Sequence, residues 1–419
     1  MRWDAGFMLR LLALPLAAAA ALALAGPASA NTYCLPAPCS GTNVGGGVQG
    51  ALNAAKNHPG ADTVQIAAGN FTSNGQGFSY DDPSPANPVT VAGAGAAKTT
   101  LTTTSHDSAT VLGLAAGSLA RDLHLSVPGG FDMHGLGLDG ATGRNISIDG
   151  DAGAGAALSG AATLRGSTVA GNVAIDIFGG GSTVYNTVAI GKAIGVRVFG
   201  QSAFTYLQRL RIDASDGGNQ PSAIGVQVNC GRVALEDSVV YVRKAVPEGT
   251  GVDATPNQCA PFTPSGVEVR QSTLLGAGAG STGVKAWSTD AQLPSNIDVT
   301  NSILRGFQHG IDRESYAGGI AFVETDASNY PGKGTIDTNQ SGGNGSLSET
   351  AHTTVDPKLV NEAGGDYRLA PGSPLIDGGN ADGLAPGESN LDKAGLPRIV
   401  DGNADGIARR DVGAFEFKP

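Results

Sequence analysis

Residues 233–240 read VALEDSVV, residues 267–275 read VEVRQSTLL and residues 297–304 read IDVTNSIL. In each, apolar and polar residues alternate, a polar pair follows, and then come a serine and a second apolar run. Period-two alternation predicts a strand with one buried face, because successive side chains leave the pleated backbone on opposite sides. Anchoring each copy on the small polar residue after the strand extends the series. The anchors are Asp122, Asn145, Ser167, Thr187, Arg209, Ser238, Ser272 and Ser302, with gaps of 23, 22, 20, 22, 29, 34 and 30 residues. Three positions before them stand Leu119, Thr142, Leu164, Val184, Tyr206, Leu235, Val269 and Val299. One position after them stand Leu123, Ile146, Thr168, Val188, Leu210, Val239, Thr273 and Ile303. Both columns are mostly apolar, so each is expected to stack inward on its own kind.

A second strand family runs out of phase with the first: GLGL (135–138), AIDI (174–177), GVRV (195–198), GVQV (225–228), GVDA (251–254), GVKA (283–286) and GIDR (310–313). Its alternation puts Val226, Val252, Val284 and Ile311 inside and the residue after each outside. The shorter gaps match one coil of a β-solenoid, and the longer ones match coils carrying loop insertions. A sandwich gives no like-with-like columns at this spacing, and propeller blades are longer. The expected fold is therefore all-β, a single-stranded parallel β-helix.

The ends differ from the middle. Residues 1–30 have an Arg2/Arg10 start, the run LLALPLAAAAALALA and a P-A-S-A exit, the layout of a cleaved secretory signal peptide. Residues 31–105 are expected to form an N-terminal cap and first coil. Within them a short helix carries Val48, Leu52 and Ala55 on one face and stops at Asn57-His58-Pro59-Gly60. Residues 106–345 hold the coils, and 346–419 a Gly/Asp/Pro-rich C-terminal cap, since an uncapped solenoid exposes its core.

Composition agrees. The 419 residues include 64 glycines and only three methionines, which disfavours a helical protein. Net charge is −11, becoming −12 once Arg2, Arg10 and Asp4 are removed with the leader. Such an acidic chain suits neither nucleic acid nor an anionic membrane. Four cysteines in an oxidising compartment predict two disulfides, and the local pairing Cys34–Cys39 with Cys230–Cys259 is the favoured one of three.

Outward residues on successive coils also stack, giving a map of the surface. One column runs Asp176, Arg197, Gln227, Asp253, Lys285 and Asp312. Asp253 and Asp312 are expected about 9.5 Å apart, two strand spacings, with Lys285 between them. That spacing suits an acid/base pair acting through water, or a lyase with Lys285 as base; the bland alternative is a ladder of alternating charge. Trp287 stands two residues beyond Lys285, placed to stack on a sugar. Arg197, Gln227, His309 and Arg313 complete the candidate binding set.

Glu268 and Asp298 share another outward column, beside Glu236 and Arg270, and read most simply as a solvated charge cluster. Insertions at 213–222, 245–265 and 286–296 are expected to wall a groove over Asp253 and Lys285. Asp401-x-Asn403-x-Asp405-Gly406, with Asp411 nearby, opens like a calcium loop but lacks the closing Glu; no other motif calls for a cofactor.

The N-terminal VQGALNAA…ADTVQIAAGNF…VTVAGAG resembles the opening of right-handed β-helix proteins of the pectin lyase-like superfamily. The C-terminal DYRLAPGSPLIDGG…DKAGLPR…RRDVGAFEF resembles the tail of the choice-of-anchor Q family of exported β-helix proteins. The resemblance implies a right-handed helix and an extracellular, secreted or surface-linked destination, and it implies no activity. Three functions stay open: binding of an extracellular or cell-surface polysaccharide by a monomer, hydrolysis or lysis of one, and a structural or adhesive role.

Overall fold

The computed structural model describes residues 29–36, 41–82, 84, 86–130, 132–150, 153–215, 222–243, 248–256, 263–332, 334–384 and 387–419. Residues 1–28, together with Cys39 and Cys259, lie outside them. Among the described residues no cysteine is free, and no helix is long and apolar enough to cross a membrane.

Among the described residues, twenty-six strands form one continuous parallel sheet wound into coils with three faces. The first face includes Ser265–Arg270, Ser295–Thr300, Ile320–Asp326 and Asn344–Thr350. Thr273–Ser288 and Ile303–Tyr316 each begin on the second face and bend onto the third. Val226, Val252, Val284 and Ile311 pair in unbroken register on the third face and are fully buried, as their alternation requires.

The glycine opening each copy of the second strand family sits where the third face meets the inside of the second. A Cβ on Gly225 would lie 2.2 Å from Val240 Cγ1 and 2.5 Å from the Gly251 carbonyl oxygen. Gly195, Gly251 and Gly283 have the same close approach to the next coil. These glycines let neighbouring coils touch.

The first-face register corrects the anchor columns by one residue in several coils. Asp122, Asn145, Gly166, Asn186, Arg209, Asp237, Gln271 and Asn301 are the true equivalents, and all are left-handed, with φ between 41° and 59°. Asn and Asp tolerate this conformation better than most residues. Leu119, Thr142 and Tyr206 consequently leave the inward column, which holds Ala120, Gly143 and Leu207 instead. Ser238, Ser272 and Ser302 follow the turn and point inward. Each backbone N–H donates to the next hydroxyl, 3.2 Å from Ser238 to Ser272 and 3.1 Å from Ser272 to Ser302. Each hydroxyl donates to the carbonyl two residues back. Sequence anchoring merged these two adjacent files because both are small and polar.

At the front, the helix Gly47–Lys56 covers the first coil with Val48, Ala51, Leu52 and Ala55. The back corrects an expectation. The tail does not cap the last coil: Ile336–Gln340 and Asn344–Thr350 stay largely open. Instead it returns along the flank, gripping the left-handed turns one by one. Asn380 pairs with Asn301, Glu388 with Gln271, and Lys393 with the Arg209 carbonyl. Arg398, fully buried, meets Asp237 and also donates to the Gly413 and Ala414 carbonyls. Beneath it, Ile303 packs with Leu369, Leu375, Ile376 and Val412.

Burial pushes Asp237 up to about 7, Asp411 to about 6 and Glu416 to about 8, against the weaker pull of Arg398. Folded chains thus hold protons that unfolded chains release near pH 4, so stability rises as pH falls through the window between about 8 and 5. The lowered carboxyls, Asp81, Asp122, Asp366 and Asp405, lie nearer the surface and oppose this only weakly. Thermal melts are expected to show a midpoint a few degrees higher at about pH 5.5 than at about pH 8; the reverse order would contradict the burial of these groups.

Candidate functional site

The outward column of the third face exists in the expected register: Asp176, Arg197, Gln227, Asp253, Lys285 and Asp312 occupy consecutive strands. Its members differ in availability. Arg197 is held by Asp176, with its Nε at 3.1 Å, and lies over the Phe199 ring at 5.1 Å. Asp253 accepts the Thr255 hydroxyl. Asp312 is only 8% exposed, and burial, outweighing Lys285, pushes its carboxyl up to about 6. Trp287 is half-buried on the neighbouring outward file, opposite Glu314.

Two members need correction. Arg313 is 1% exposed and points into the stack, bonded to Asp337 at 2.6 Å and to Asn339 at 2.5 Å. It follows Asp312 on a strand, so alternation sends it inward; it is not a surface ligand. His309 bonds the Gly334 carbonyl and stands on the Thr282 register, not on the lysine column.

The proposed calcium set is also divided. Asp401, Asn403 and Asp405 accept backbone N–H groups of their own turn, and Asp405 pairs with Arg409 at 2.9 Å. Asp411 accepts the N–H groups of Asp377 and Phe417 elsewhere in the strap. Among the described residues no three acid, histidine or cysteine side chains are gathered to hold one metal ion.

Residues 216–221, 245–247 and 257–262, in two of the insertions expected to wall a groove over Asp253 and Lys285, lie outside the described residues; among the described residues a cleft lies over the first face. A groove of about 680 Å³ opens over the first face, lined by Phe204, Arg232, Glu268, Asp298, Phe322 and Glu324 among others. Pro264, from the second insertion, forms part of its rim. Glu268, Asp298 and Glu324 are in register on three consecutive strands, about 4.8 Å from one to the next. Beside them runs the file Phe204, Arg232, Gly266, Asn296 and Phe322. Arg232 lies over the Phe204 ring at 4.1 Å and reaches Glu268 at 3.6 Å. Gly266 deepens the floor: a Cβ there would meet nothing nearer than 3.8 Å. This glycine answers no demand of the fold.

Arg270 divides its guanidinium between Glu268 and Glu236. Asp298 and Glu324 have no ion-pair partner among the described residues. The groove walls, then Glu324, then Glu268, push the Asp298 carboxyl up to about 6. Glu268 and Asp298 were legible as a shared column. Glu324 was legible too, because FVETD (322–326) repeats the IDVT pattern one coil beyond the last anchor. Phe204, Arg232 and Phe322 gave no signal until the coils were stacked.

No protein-family model matches the sequence, and no curated protein does. Among solved structures the chain is similar to the pectate lyase Pel9A, with 14% identity over 94% of this chain and 98% of that one, at a TM-score of 0.56. The A-module of mannuronan C-5 epimerase AlgE4 from Azotobacter vinelandii gives 14% identity over 74% and 92%, at a TM-score of 0.43. The likeness to Pel9A establishes the fold class, a parallel β-helix.

Proposed function

We propose that this protein binds an extracellular or cell-surface polysaccharide in the groove of its first face. One observation carries the reading: an open trough about four strand spacings long, roughly 19 Å, has polar acceptors along its floor and phenylalanine rings at both ends. Sugar sites need that combination of hydrogen-bonding groups and flat apolar platforms. Pectate lyase activity in a protein of the same fold is consistent with it. Export, the two-disulfide pairing and membership of the choice-of-anchor Q group belong to the same proposal. They rest on the leader pattern, the even cysteine count and the tail motif.

Gly266→Val tests this directly, because it fills the trough without touching the core. Its expected result is loss of glycan retention by at least about tenfold, with the thermal midpoint unchanged. Full binding by Gly266→Val on a glycan array would remove the groove from consideration. Phe322, 39% exposed, is expected to act as a platform: Phe322→Ala should weaken binding by about 1 kcal/mol, the scale of an aromatic contact.

Hydrolysis is the second reading, favoured by Asp298. A carboxyl with its pKa near 6 can donate a proton, and the carboxyl groups of Glu268 and Glu324 stand in register on either side of it. The neighbouring pairs are spaced near the retaining geometry, and the outer pair near the inverting one. Reducing ends released by the wild type and abolished by Asp298→Asn would support it.

A further inference from the structure

We propose that the groove selects a polysaccharide bearing free amino groups, a cationic glycan, over a polyuronate. This inference rests on the binding reading above and names its ligand class. It follows from a count of charges inside the trough. Three carboxylates, Glu268, Asp298 and Glu324, face one lining guanidinium, Arg232, which is committed to Glu268 and to the Phe204 ring. Arg270 is likewise committed to Glu268 and Glu236. Two adjacent carboxylates, Asp298 and Glu324, therefore meet whatever enters without a cation of their own among the described residues.

A polyuronate laid along this floor would add a carboxylate per ring, about 5 Å from like charge and under a chain of net charge −11. Such juxtaposition is what excludes a wrong partner. An ammonium on the sugar reverses the sign and relieves the repulsion between Asp298 and Glu324. A divalent metal is a poorer occupant, because the described side chains are not gathered around one point. Phe322 gives the uncharged face of a pyranose ring a surface that a bare cation would not use.

Calorimetry on the full chain at about pH 7, above the Asp298 value of about 6 so that this carboxyl is largely ionised, compares hexamers of glucosamine, N-acetylglucosamine and galacturonic acid, with hexalysine as a cation lacking sugar. Glucosamine hexamer is expected to bind about tenfold or more tighter than its acetylated counterpart, with galacturonate weakest. Glu324→Gln is expected to erase most of that preference, read as the ratio of the two affinities, with the thermal midpoint unchanged. Equal binding of the two glucosamine-series hexamers, or tightest binding of galacturonate, overturns the inference. If that binding is still abolished by Gly266→Val, the polysaccharide reading survives it. Hexalysine binding as tightly as glucosamine hexamer, insensitive to Phe322→Ala, assigns the groove to basic polypeptide and overturns both. Binding of none of the four also overturns both.

Discussion

Arg398→Met is expected to cost about 3–5 kcal/mol, the scale for breaking a buried pair by removing one partner. The side chain is fully buried and joins the strap to the stack at one point. It meets Asp237 on the coil turn, lies 3.6 Å from Glu416 in the strap, and donates to the Gly413 and Ala414 carbonyls. Methionine fills the space but leaves the Asp237 carboxyl and the Gly413 carbonyl without a donor, whereas the Ala414 carbonyl keeps the Lys393 N–H and Glu416 keeps the Asp411 N–H. The penalty should be larger at about pH 8, where both acids tend to ionise, than at about pH 5.5, where they hold protons. Thermal melts at the two pH values measure this, and limited proteolysis shows whether residues 380–417 come away first. Neutralising the partners as well, in Arg398→Met/Asp237→Asn/Glu416→Gln, is expected to recover much of the loss. An unchanged midpoint for the single variant would mean that the strap is not held there.

The strap also shows where sequence reasoning stopped. Parallel stacking was legible because Val226, Val252, Val284 and Ile311 obey a local rule, alternation, that needs no knowledge of the rest of the chain. The helix over the first coil was legible for the same reason. The tail's position was not, because its contacts with Asn301, Gln271, Asp237 and Arg209 join residues far apart in the chain and follow no period.

The candidate site divides along the same line. Column membership could be read from spacing, so Asp253, Lys285 and Asp312 do fall in file. Which column lies under a cleft depends on Pro264, Phe204 and Phe322 meeting across coils, and on Gly266, whose lack of a side chain makes the depth. The Arg313 error came from counting proximity in sequence as proximity on the surface, against the alternation that placed Asp312 correctly.

Gly225→Ala is expected to be as damaging as any single methyl in this protein. Its φ is not left-handed, so the backbone alone would accept alanine. The obstacle is the next coil: the new Cβ would lie 2.5 Å from the Gly251 carbonyl oxygen and 2.2 Å from Val240 Cγ1. A side chain can rotate away, but a sheet carbonyl moves only if its strand lifts, breaking register with Val252 and Asp253. Overpacking ordinarily costs about 1–3 kcal/mol, and a backbone obstacle places this case at or above the top of that range. Adding Val240→Ala removes one contact and not the other, so it should restore only part of the loss and leave a cavity of its own. Gly266→Ala is the matched control on the same stack, with its nearest atom at 3.8 Å, and should melt with the wild type. If Gly225→Ala melts there too, the glycine file is not what lets the coils close on one another, and the tight corner between the second and third faces must have another cause.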